Sequence, residues 1–212
     1  MKNYGKFVMG LIFVWFVFAL SASALHLFKN DGNRIGVAVA IAASAPIVVF
    51  TAWIAASESF RRFVLSLNPS VLTSLQAWRF IGFTFVLLEA RSLLPAVFAW
   101  PAGYGDMAIG VTASFVAWKL ANPAHRNLFI LWQLLGIADL VSAVSLGTTA
   151  SFINPQGPTM VPMTVLPLSL IPTFLAPLFL IFHVICIAQA SAWRSTSERT
   201  QRAMTPAQRP AI

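Results

Sequence analysis

Residues 7–28 read FVMGLIFVWFVFALSASALHLF, twenty-two positions without a Lys, Arg, Asp or Glu. At 1.5 Å per residue such a helix covers the roughly 30 Å of hydrocarbon in a bilayer. Five more apolar stretches follow, over residues 35–57, 75–100, 104–121, 128–147 and 165–193. Lipid offers no partner to an unpaired backbone group, so each stretch is expected to be a helix. A closed barrel would need alternating polar and apolar positions, and these runs do not alternate. The expected fold is all-α, a single bundle of six transmembrane helices over residues 1–193. Residues 194–212 are rich in Arg, Ser, Thr and Gln and are expected to form a disordered tail.

Composition agrees. Charged residues make up 9% of the chain and hydrophobic ones 58%, where a soluble domain carries about 25% charge. The net charge of +8 is not a nucleic-acid footprint, because the basic residues stand in short clusters between apolar runs. Ten of them, Lys2, Lys6, Arg61, Arg62, Lys119, Arg126, Arg194, Arg199, Arg202 and Arg209, fall on one side of a six-span topology, against Lys29 and Arg34 on the other. The positive-inside bias then places both termini in the cytoplasm and the protein in an inner, plasma membrane. Lys2 and Lys6 before an apolar run ending in Ala22-Ser23-Ala24 also fit a cleaved signal peptide. The length of the run favours a retained span.

Two connections carry structure of their own. In ESFRRFVLSLNPSVLTS, residues 58–74, Phe60, Phe63, Val64 and Leu67 recur at helical spacing, which predicts an interfacial amphipathic turn ended by Asn68-Pro69. Residues 148–164 hold Pro155, Gly157, Pro158 and Pro162 and are expected to form an irregular cap.

An ionisable side chain at the centre of a membrane helix costs about 2.5–3.5 kcal/mol, so each one needs a reason. Arg79, Glu89, Arg91, Asp106, Asp139 and His183 lie in or at the ends of the predicted spans. The helical rise sorts them into layers. Arg79, Gln76 and His183 form an inner layer, Glu89, Arg91 and Asp106 an outer one, and Asp139 stands near the midplane. In FAWPAGYGDMAIG, residues 98–110, Pro101 is read as the stop of the third span and Gly103 and Gly105 as a reversal. Asp106 is read there as the cap of the fourth span, or as part of an outward pocket with Glu89 and Arg91. Asp139 caps nothing, so it serves as a buried glue or as an ion- or proton-binding carboxylate. His183 and Cys186 are spaced like two ligands, but no second His or Cys shares their depth, so neither haem nor a metal is expected.

No phosphate-binding glycine loop, H-E-x-x-H or G-x-S-x-G is present. The run Q-x-x-R-x-x-G at Gln76, Arg79 and Gly82, followed by P-A-G-x-G-D at residues 101–106, resembles a group of bacterial multi-pass membrane proteins without assigned activity. The resemblance covers spans three to six and implies no function. The polar groups themselves point first to a small-solute or ion carrier. Asp139 is then its coupling group, Glu89, Arg91 and Asp106 the outer gate, and Arg79 with His183 the inner one. The rivals are a membrane enzyme acting on a lipid or quinone and a non-catalytic subunit or assembly factor. The partners to expect are the bilayer, a small solute or ion, and a second copy or another membrane protein.

Overall fold

The computed structural model describes residues 2–29 and 36–204, and every regular element among them is helical. The elements are α1 (Lys2–Ala24), α2 (Val37–Ala56), α3 (Glu58–Leu65), α4 (Pro69–Ser74), α5 (Phe83–Glu89), α6 (Ala96–Lys119), α7 (Arg126–Ile153) and α8 (Ala176–Met204). A 3-10 segment, Leu75–Gly82, joins α4 to α5 into one rod, and a π turn, Ile171–Leu175, leads into α8. Five stretches are long and apolar enough to cross a membrane: Tyr4–Ala24, Val37–Ala56, Pro69–Glu89, Pro123–Ile153 and Ile171–Trp193. The remaining long helix, α6, is less apolar because Pro101, Gly103, Tyr104, Gly105 and Asp106 sit in its first half. Nine of its residues are buried, so much of its surface meets protein, where low hydropathy costs little.

The structure corrects the boundary between the third and fourth predicted spans. The third ends at Glu89, not Trp100, and the fourth begins at Ala96, not Tyr104. Leu93 N–H donates to the Leu88 carbonyl at 2.9 Å and Ser92 N–H to that of Glu89 at 2.7 Å, with Ser92 at φ 55°. This is a Schellman stop with serine in the left-handed position that glycine usually takes. Pro95 then stands at the N-cap of α6. Pro101 is inside α6, where it removes only the bond that would reach the Val97 carbonyl. Asp106 is therefore mid-helix and caps nothing. His26, φ 58°, makes the same kind of stop after α1.

Other boundaries differ less. α7 runs on to Ile153, so the expected outer cap starts later and contains a 3-10 turn, Val161–Thr164. Residues 165–169, expected to open the sixth span, form turns around Pro167. α8 continues to Met204, where a disordered tail was expected. Its Arg, Glu, Gln and Ala are good helix formers and no proline intervenes before Pro206. Residues 205–212 lie outside the described part.

α3 has the expected amphipathic form, with Phe60 and Val64 buried and the Ser57 side chain accepting from Phe60 N–H. It anchors one end of the bundle. Trp53 stacks on Phe60 with ring centroids 4.0 Å apart, and Tyr4 stacks on Phe63 at 5.8 Å. Gln189 Nε2 donates to the Leu67 carbonyl at 2.7 Å and to that of Val64 at 3.2 Å, closing the end of α3 from α8. Phe129 meets Trp193, and Arg126 Nε donates to the Ala190 carbonyl. The start of α1 and α7 and the end of α2 and α8 thus share one end of an antiparallel bundle, and Arg61, Arg62 and Arg126 lie at that end.

Packing is uneven. α3 to α8 and their connections hold two buried apolar clusters, one around Phe60, Ile109, Phe129 and Ile185, the other around Phe85, Leu94, Phe98 and Met163. α2 contributes only Val39 to the buried set. α1 attaches mainly to the π turn, through Trp15 Nε1 donating to the Thr173 carbonyl and through Trp15 and Phe16 packed on Phe174.

Candidate functional site

Four helical rods each place one ionisable residue near mid-length. Arg79 is ten residues from either end of Pro69–Glu89, and His183 is ten from the end of Ile171–Trp193. Asp106 is ten residues into α6, and Asp139 is thirteen into α7. At 1.5–2 Å per residue each lies about 15–20 Å from its helix end. Antiparallel packing then brings all four to one level. The inferred two layers are a single cluster. Its centre is Arg79, which moved to mid-depth once the span began at Pro69 instead of residue 75.

Arg79 is 1% exposed. Its Nε donates to Asp106 Oδ1 at 2.7 Å, its Nη2 donates to Asp139 Oδ2, and its Nη1 donates to the Gly136 carbonyl at 3.1 Å. Nη1 also lies 3.1 Å from His183 Nε2. A guanidinium has no acceptor, so His183 Nε2 must accept. The imidazole proton then sits on Nδ1, which donates to Gln133 Oε1 at 2.5 Å. Direction propagates further. Gln133 Nε2 donates to Thr73 Oγ1 at 3.1 Å, and Thr73 Oγ1 lies 3.7 Å from Cys186 Sγ. Arg79 thereby fixes the tautomer of His183 and the orientation of the Gln133 amide. The chain is no proton wire, since an amide in its middle accepts at oxygen and donates at nitrogen without passing a proton.

The charges of this cluster do not balance. His183 is neutral in this tautomer, and Arg79 supplies one positive charge against Asp106 and Asp139. With both carboxylates ionised one negative charge is left over. Both carboxyl groups are held by the one guanidinium, so one proton on either of them would cancel it. Among the described residues no donor reaches Asp106 Oδ2 or Asp139 Oδ1. Their side chains are 15% and 12% exposed, unlike that of Arg79.

Close approach of the helices depends on three glycines. A Cβ on Gly82 would strike Asp106, one on Gly105 would strike Asp139, and one on Gly136 would strike the His183 ring. Each acid or base thus occupies the volume a side chain would take on the facing helix. Gly110 likewise lies against the backbone of Phe80 in the 3-10 segment. The small-residue stripe read from the sequence at Gly110, Ala113 and Ala117 is buried.

Asp106 borders a half-open cavity of about 430 Å³ between α2 and α7, lined also by the 160–164 turn and the π turn. Its wall is apolar, built from residues such as Ile47, Leu140, Val144 and Ile171, and includes Ser44, Ser145 and Thr164, whose hydroxyls donate to the carbonyls of Ala40, Val141 and Val161. Asp106 is the only ionisable residue in that wall among the described residues. A second cavity of about 20 Å³ joins Arg79 to Asp106, enough for a single water.

Of the residues singled out in the sequence, Arg79, Asp106, Asp139 and His183 come together. Gln76 is buried one turn away, donating from Nε2 to the Phe179 carbonyl at 3.1 Å while its Oε1 has no partner. Glu89 and Arg91 do not join. They lie at the end of α5 and in the turn after it, about 10 Å along the axis from Gly82, and make no ion pair among the described residues. Arg91 is exposed. Cys186 turns to Thr73 and away from His183, whose two ring nitrogens are both engaged. Gln133 and Thr73 were missed. The available signal was an uncharged amide in mid-span, in WQLLGIADL, which needs a partner almost as much as a charge does.

The model of a family described as a domain of unknown function (DUF8737) matches residues 35–190, a stretch that contains every member of the cluster. No curated protein and no solved structure matches the chain.

Proposed function

The chain belongs to the DUF8737 family, and from the buried cluster we propose that it is a six-span plasma-membrane carrier that exchanges a proton for a small cationic solute. Six crossings, with α6 as the fourth, bring both termini to the end that carries Lys6, Arg61, Arg62, Lys119 and Arg126, the cytoplasmic side by the positive-inside rule. The observation that carries the reading is the surplus carboxylate. A net negative charge in the middle of a membrane is stable only when a cation meets it. A proton on Asp106 or Asp139 and a cation in the adjoining cavity are alternative ways to meet it. Two ligands that neutralise the same charge exclude each other, which is the thermodynamic basis of exchange.

Asp139 keeps the coupling role read from the sequence, now together with Asp106. Arg79 holds both acids, and His183 holds Arg79. The lipid- or quinone-enzyme reading gave His183 acid–base work, yet both its nitrogens are occupied and it is absent from the cavity wall.

The test is solute-driven proton movement in reconstituted vesicles with a trapped pH dye. Monovalent inorganic and organic cations are supplied singly outside. At least one is expected to drive proton efflux above that of empty vesicles, and Asp139→Asn is expected to lose it while keeping its helical circular dichroism and its elution volume. Proton movement in Asp139→Asn at the wild-type rate would overturn the proposal.

A further inference from the structure

The cavity identifies the kind of cation. A small hydrated ion needs several oxygen ligands in place of its water. The wall offers one carboxylate edge, three hydroxyls that donate to backbone carbonyls and otherwise hydrocarbon. Its volume of about 430 Å³ lies in the range of pockets that enclose a drug-sized organic ligand, about 300–1,000 Å³. An anion would meet the Asp106 carboxylate, and a neutral apolar molecule would leave that carboxylate unmatched.

We infer that the cavity between α2 and α7 is a binding site for a monovalent lipophilic cation, its charge placed against the Asp106 carboxylate and its apolar body against Ile47, Leu140 and Val144. This names the substrate class of the carrier proposed above and rests on that reading for transport, though not for binding. The charged groups that face Asp106 are Arg79 from the 3-10 segment, Asp139 from α7 and, through Arg79, the neutral ring of His183 from α8. α2 brings no ionisable group to the cavity wall. One proton therefore competes with one cation, and apparent affinity falls as pH falls, by up to about tenfold per unit.

Binding is measured by equilibrium dialysis with the full chain in nanodiscs of zwitterionic lipid, against empty nanodiscs. The probes are tetraphenylphosphonium and tetraphenylborate, which match in size and shape and differ in sign. The cation is expected to bind saturably, one per chain and at least tenfold tighter than the anion at the protein site. Asp106→Asn should weaken it at least tenfold. Ala43→Phe, which fills the cavity from the loosely packed α2 and leaves the acids in place, should abolish it. Equal binding of both ions, undiminished binding in either variant, or occupancy by lipid alone with no saturable cation would overturn the inference. Because nanodiscs have no second compartment, cation binding without any flux in vesicles would remove the carrier reading and leave the site. Flux of small inorganic cations without tetraphenylphosphonium binding would do the reverse.

Discussion

The surplus charge has a signature in stability that a simple ion pair lacks. Replacing Arg79 with Gln leaves Asp106 and Asp139 facing each other with no cation. Removing one partner of a buried pair costs about 3–5 kcal/mol, and here two carboxylates are stranded at once. In a chain of this size 1 kcal/mol moves a melting midpoint by about 2–4 °C, so a loss of roughly 6–20 °C is expected. Asp139→Asn acts differently. The Asn carbonyl still accepts from Nη2, while the leftover negative charge disappears. The charge-assisted bond, about 1.5–3 kcal/mol, weakens, and relief of the unbalanced charge offsets it, so the midpoint should stay within about 4 °C. Asp106→Asn should behave alike. The double Asn variant leaves Arg79 as a buried cation with no counter-charge and should again cost about 3–5 kcal/mol. Two mild single changes and a severe double give strong non-additivity, as expected for sites that share one partner. Thermal unfolding followed by the fluorescence of the seven tryptophans in detergent reads all five forms. Equal destabilisation by Arg79→Gln and Asp139→Asn, or a double that is the sum of its singles, would refute the charge count.

Gly105→Ala places a methyl on the Asp139 carboxylate, which Arg79 holds in place; overpacking of this kind costs about 1–3 kcal/mol. Gly10→Ala meets nothing within 4 Å and should be neutral or slightly stabilising in the same thermal scan. Ser92→Gly relieves a left-handed serine and should stabilise by about 1 kcal/mol, read as a rise of a few degrees. Gln189→Leu removes the donor to the Val64 and Leu67 carbonyls; faster cleavage near residues 65–68 in limited proteolysis is expected, and an unchanged cleavage pattern would show that α3 does not depend on it.

The helices of this chain are legible because an apolar run long enough to meet lipid is expected to be a helix, so apolar length alone locates α1, α2, α7 and most of α8. The third and fourth spans are not, for a local reason. Their boundary is drawn by Ser92, which carries no glycine signal, while the glycines and proline that look like a turn, Pro101, Gly103 and Gly105, serve helix contact inside α6. That error moved Asp106 toward one face, and a third span started at residue 75 instead of Pro69 moved Arg79 by a turn and a half toward the other, so that one cluster was split into two gates. The identity of the polar residues survived the error because the cost of burying charge does not depend on register. Their mutual contacts did not, since contact between helices depends on register to within a few ångström. Glu89 and Arg91 entered the site only through the misplaced turn.

Stability gives no reason for this cluster to have its present form. A helix bundle in lipid can be held by apolar packing and small residues, and α6 already has both in Gly103, Gly110 and Ala113. A buried guanidinium with one carboxylate would be balanced, and an apolar replacement for the whole set is often neutral or better. What pure glue does not require is the second acid. Nor does it require that Asp106 stand in the wall of an otherwise apolar cavity, with one oxygen turned to no donor. Those two features cost stability, and in the proposed exchange that cost is offset when the cation binds. The rigid part of the molecule holds the acids through Gly82, Gly105 and Gly136, while the opposite wall is α2, which buries a single side chain. In the proposed carrier the ligand passes between α7 and α2, which packs on α3, α8 and the π turn, and leaves the bonds of Arg79 intact; that is the division between fixed site and yielding wall that exchange across a membrane needs.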